Sequence, residues 1–156
     1  MTILTAALPV MEALVGVLQD ATLQAAIGGR LYDDIPQDAP RPVVLIEIMS
    51  EVDKRGLGTG GLPELDVRTH VFSDQGSMSE AHGINLQIVA LLKDAGLVLT
   101  DTGYSHAGRI VYRETITLRD ELLHDVKVHE VVSIFTIWVE QDNHDAVPFV
   151  DPDWIQ

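Results

Sequence analysis

The chain has no cysteine among its 156 residues. That excludes a disulfide framework, a thiolate metal site and a cysteine nucleophile, and it suits a reducing compartment. Aromatic residues make up only 5%, so stacking platforms for bases or sugars are scarce. Basic side chains are also few: 10 against 24 acidic ones, a formal charge of −14, which repels nucleic acid and anionic lipid and argues against tight DNA binding. No apolar run approaches the roughly 20 residues that span a bilayer. The opening Met1-Thr2-Ile3-Leu4-Thr5 lacks the basic segment of a secretory signal, so the expectation is synthesis in the cytosol and no membrane partner.

What is present fits one core, since 156 residues bury about two thirds of their unfolded surface without staples. Ala7, Met11, Leu14 and Leu18 recur at helical spacing, with Pro9 tolerated in the first turn. Asp20 is placed to cap a second short helical turn through Ile27, and Gly28 to end it in the left-handed region. Pro36, Pro40 and Pro42 then exclude a helix before the next apolar segment.

Val43 to Met49 is apolar on both parities, as in a strand covered on both faces or lying at a subunit contact. Leu65, Val67, Thr69 and Val71 alternate with polar residues and predict a half-exposed strand, joined to the first as an antiparallel hairpin. Ser73 to Ser77 breaks it. Ala81, Ile84, Ile88, Leu91 and Ala95 mark the main helix, with Gly96 as its expected stop. Leu97 to Leu99 is a short strand candidate; Arg109–Leu118 and Val126–Val139 are long ones, separated by Asp120 to Asp125. The expected fold is α+β in the order αββαββ, a four- to five-stranded, largely antiparallel sheet with two helices packed on it. The domain is expected to span 1–140, and 141–156, with Asp142, Asp145, Asp151 and Asp153 and no Lys or Arg, to form an acidic tail.

The order of helix, Gly28-Gly29-Arg30-Leu31-Tyr32, prolines and Pro42-Val43-Val44 strand resembles the start of the tail-completion (tail-terminator) proteins of long-tailed bacteriophages and gene-transfer particles. The strand ending in Phe72-Ser73, the helix carrying Glu80-Ala81 and the closing strand Ser133 to Val139 extend the resemblance to most of the chain. It implies a structural virion protein, in the host cytoplasm during assembly and at the head-proximal end of the tail afterwards. The implied role is a homohexameric ring that caps the tail tube, stops its polymerisation and docks a neck or head-completion protein. DNA would pass through without specific binding. The loop residues Arg55, Gly56, Gly58 and Gly60 at one hairpin tip, and Asp120, Glu121 and Asp125 at the other, are the candidates for tube or neck contact. Alternatives are another neck or minor tail protein, or a small ligand-binding or enzymatic α+β domain.

No catalytic motif is complete, and neither cofactor nor metal is expected. Gly56-Leu57-Gly58-Thr59-Gly60-Gly61 satisfies G-x-G-x-x-G, but a dinucleotide site needs a helix next, whereas Leu62-Pro63 and a strand follow. Gly103-Tyr104-Ser105-His106-Ala107-Gly108 has one residue too many for a nucleophile elbow. The six histidines show no tight ligand spacing; His124, His129 and Asp125 are the group most able to converge.

Overall fold

The computed structural model describes residues 6–36, 38–53, 62–75, 77–99, 102–106, 108–123 and 126–141, with side chains outside 53, 119–123, 126–127 and 141. Helix α1 (Ala7–Val17) and helix α2 (Ala21–Ile27) meet at a sharp bend of 92°. The buried stripe of α1 is Ala6, Val10 and Leu14, continued by Leu18. This is one position off the Ala7 and Met11 of the sequence expectation, which lie only partly buried on its flank. In α2, the Asp20 carboxylate accepts the backbone N–H groups of Thr22 and Leu23, both at 3.1 Å, satisfying donors that the first helical turn leaves orphaned. Gly28 closes α2 at φ 60°, a conformation that side chains with a Cβ rarely adopt.

Strand β1 (Leu31–Tyr32) pairs parallel with Val44–Leu45 of β2 (Val43–Asp53). β2 turns antiparallel into β3 (Pro63–Ser73), with a bulge between Ile48 and Ser50. Helix α3 (Ser79–Leu92) follows, then β4 (Tyr104–His106), β5 (Val111–Leu123) and β6 (Val126–Gln141). β6 is the hub: β3 lies along one side of it, while β5 and, past the start of β5, β4 pair with it as well. The described sheet thus has six strands with one parallel pair, and three helices instead of two.

Two further boundaries differ from expectation. α3 ends at Leu92, and the left-handed residue is Asp94 (φ 62°) instead of Gly96. There the chain turns because the Asp94 N–H donates to the Ile110 carbonyl and the Ile110 N–H to that of Ala95, tying the helix end to the entry of β5. Leu97 to Leu99 forms no strand; the short strand falls at Tyr104–His106.

All three helices pack on one face of the sheet. The facing strand residues include Val44, Ile46, Leu65, Val67, Val71, Val131, Phe135 and Ile137, all fully buried with the helical Leu14, Leu23, Ile27, Ile88 and Leu92. β3 alternates strictly between this face and the other, as the pleat requires. One polar chain crosses the core: Tyr112 O–H to Thr115, Thr115 to Ser133, and Ser133 to the Asn85 Oδ1 of α3, at 2.6, 2.9 and 2.6 Å. Because the Asn85 oxygen can only accept, the direction of every hydroxyl in the chain is fixed.

Candidate functional site

Arg30 and its two glycines tie the helical layer to the sheet. The Arg30 Nε–H donates to the Pro42 carbonyl at 2.8 Å, and the Arg30 carbonyl accepts the Val44 N–H at 2.9 Å. The guanidinium folds back over Gly28, where a Cβ would meet it at 2.6 Å. The most recognisable segment of the sequence is therefore a clamp that sets β1 beside β2, with no reactive group in it.

The described strands of the two hairpins run out at opposite ends of the sheet. Asp53 pairs with Pro63, and Glu64 with Trp138 near the end of β6. At the other end Leu123 pairs with Val126, beyond the Ser73–His129 pair that closes β3. β6 has 16 residues, about 50 Å at roughly 3.3 Å per residue, so these two ends stand far apart. Arg55, Gly56, Gly58 and Gly60 lie outside the described residues, as does Asp125. The backbones of Asp120 and Glu121 belong to β5, at the register shift between Leu118 and Glu121. They stand in the arm that β5 and β6 form beyond the end of β3, not in a loop.

The sheet face away from the helices is mixed apolar and charged. Across it, His70 of β3 bridges β2 and β6: its Nδ1 is 2.6 Å from Glu130 Oε2, in hydrogen-bond geometry, and its Nε2 is 2.6 Å from Glu47 Oε1, as an ion-pair contact. Burial acts to lower the His70 pKa, yet the Glu130 hydrogen bond and the charges of Glu130 and Glu47 outweigh it and leave the pKa raised. Phe72 stacks beside the His70 ring at 6.1 Å, and Arg113 lies 5.9 Å from the Trp138 ring centroid, within cation–π range. The sequence did not single out this bridge, because Glu47, His70 and Glu130 are brought together only by strand register.

The motifs considered for catalysis fall apart in three dimensions. The element after Leu62 is the strand β3, not the helix that a dinucleotide site needs there. Ser105 and His106 are successive residues of β4 and point to opposite faces. The His106 Nδ1 accepts the Leu97 N–H at 3.0 Å, and burial lowers the pKa of this histidine. His129 is buried, while His124 and Asp125 lie outside the described residues. Among the described residues no group of three His, Asp or Glu is placed to hold a metal ion.

The fold has a solved counterpart in a chain of the virion of a native gene transfer agent particle, with a TM-score of 0.65 and 22% identity over 83% of this chain and 92% of that one. No curated protein matches the sequence. The model of tail completion protein gp17 matches residues 12–140, and the chain belongs to that family of phage tail structural proteins.

Proposed function

We propose that this protein forms a homohexameric ring at the head-proximal end of a completed tail tube, stops tube polymerisation there and presents a docking surface to the neck or head-completion protein. Membership of the tail completion family carries the reading. The separation of the two hairpins supports it, since a subunit that joins tube to neck needs contacts at both ends of its long axis. The tip near Arg55, Gly56, Gly58 and Gly60 would serve one neighbour, and the arm with Asp120, Glu121 and Asp125 the other. The acidic segment 141–156 would then be an appendage to the ring-forming domain. Function on this reading is interface complementarity without turnover, in the assembled virion and, before that, in the host cytoplasm.

The test is to locate the subunit in intact particles by electron microscopy. One layer of six copies at the head-proximal end of the tube is the expected result. Many stacked layers would make this the tube protein, a layer elsewhere would make it another neck or minor tail component, and absence from particles would remove the structural role.

A further inference from the structure

The sheet leaves two long outer edges without a strand partner among the described residues. On β2, β1 covers only Val44 and Leu45, so the edge from Ile46 to Asp53 is open. On the other side, β5 pairs with β6 alone. Neither edge carries a proline or lysine; both carry bulges and charged residues, which also blunt an edge, yet each keeps a regular run: Ser50–Asp53 after the β2 bulge, Glu114–Leu118 between the two shifts of β5.

We infer that these edges pair with each other between copies, the β5 edge of one subunit adding antiparallel to the β2 edge of the next. This rests on the ring reading above and specifies its interface. Three observations carry it. First, direction: β2 and β6 run one way through the sheet, and β3 and β5 the other. Copies related by rotation about an axis along the strands therefore bring β5 antiparallel to the neighbouring β2, the ladder that needs no crossover. The contact joins two different patches of the chain, as a closing ring requires and a two-fold dimer does not.

Second, each edge is flanked by a groove in the same helical layer. Beside β2 a groove of about 440 Å³ runs between α1 and Ile46, Glu47 and Ile48, under Leu8, which is 67% exposed. Beside β5 a groove of about 410 Å³ runs between α3 and Tyr112 and Thr115, under Leu86, which is 70% exposed. Pairing the edges brings helical layer to helical layer and covers both leucines. Third, charge: the β2 groove is lined by Asp33 and Glu47 and continues past Glu12. The β5 groove has His82 and no carboxylate in its lining.

The absence of cysteine makes the test clean. Ser50 shares the uncovered face with Glu114, Ile116 and Leu118, so the pairs Ser50→Cys with Glu114→Cys, Ile116→Cys or Leu118→Cys sample three registers on one face. A cross-strand pair lies within disulfide reach only when it is directly opposed. Particles assembled with each variant are oxidised and run on a non-reducing gel. The expected result is that at least one pair converts the subunit band into a ladder that dithiothreitol collapses, while Ser50→Cys with Thr117→Cys, on opposite faces, stays single. Subunit present in particles but unlinked in all three pairs overturns the edge contact and leaves the ring standing. Subunit absent from particles of the native chain overturns both, and ladders in the control as well would mark collisional linking and overturn the inference. If a variant blocks assembly, amide exchange on the native chain decides: pairing protects Glu114–Leu118 in particles relative to the free subunit, and equal exchange in the two overturns it.

Discussion

His70 is the residue whose chemistry the fold has altered most on the uncovered face. Two carboxylates from two neighbouring strands converge on its ring, so the protonated form is favoured in the folded state although burial opposes it. A folded-state pKa raised above the usual 6.5 means that the folded chain holds more protons than the unfolded one in the window between the two values. The stabilisation is therefore complete below about pH 6.5 and fades as pH rises through the raised value. His70→Gln keeps a donor but cannot carry the charge, so its stability relative to the native protein should be most reduced at acidic pH and approach the native value at alkaline pH. Denaturant unfolding at a series of pH values checks this, and a stability difference independent of pH would contradict it. His106 provides the internal contrast: burial lowers its pKa, so its contribution has the opposite sign, being present above the ordinary histidine pKa and lost as pH falls.

At the scale of elements, helix ends made by side-chain chemistry were legible and those made by tertiary contacts were not. Asp20 and Gly28 could be read as the start and stop of α2 because both act within a few residues of chain. Replacing Asp20 by Ala removes the acceptor of two N–H groups and should cost about 1 kcal/mol, seen as a lower denaturation midpoint with an unchanged slope; an unchanged midpoint would mean that water serves those donors equally well. The end of α3 was misplaced because Ile110, far along the chain, sets the turn at Asp94. Leu97 and Leu99 are buried with Val98 exposed between them, which is the pattern of a strand without the ladder that would make it one. β1, with two residues, is too short for any periodicity to show. At Asp120 and Glu121 the clustered charge suggested a break, whereas β5 passes through a register shift there and continues to Leu123. The candidate contact residues were legible only as hairpin signals; that the two hairpins point to opposite ends follows from the pairing of both β3 and β5 with β6, which no local pattern encodes.

For the whole molecule, the excess of 24 acidic over 10 basic side chains bears on how the protein meets DNA. A duplex-binding surface neutralises phosphates with Lys and Arg, and a protein making six to ten such contacts loses roughly 10³- to 10⁵-fold in affinity between about 50 and 200 mM salt. Here the uncovered sheet face carries Glu47, Glu64, Asp66, Glu114 and Glu130 on its strands, against Arg68, Arg113 and His70. Arg68 lies 3.5 Å from Asp66 and Arg113 is engaged with Thr136 and Trp138. Their charge is thus already partly answered within the subunit. A ring built from such subunits would let a duplex slide past without gripping it, which is what a passage for DNA requires. The purified protein should leave duplex DNA unretarded in a gel-shift titration at physiological salt, with no gain in binding as salt is lowered toward about 50 mM. A low-micromolar shift that weakens steeply with salt would mean that a basic surface has been assembled from the few Lys and Arg present, and would assign the protein to DNA retention in the neck instead of tube termination.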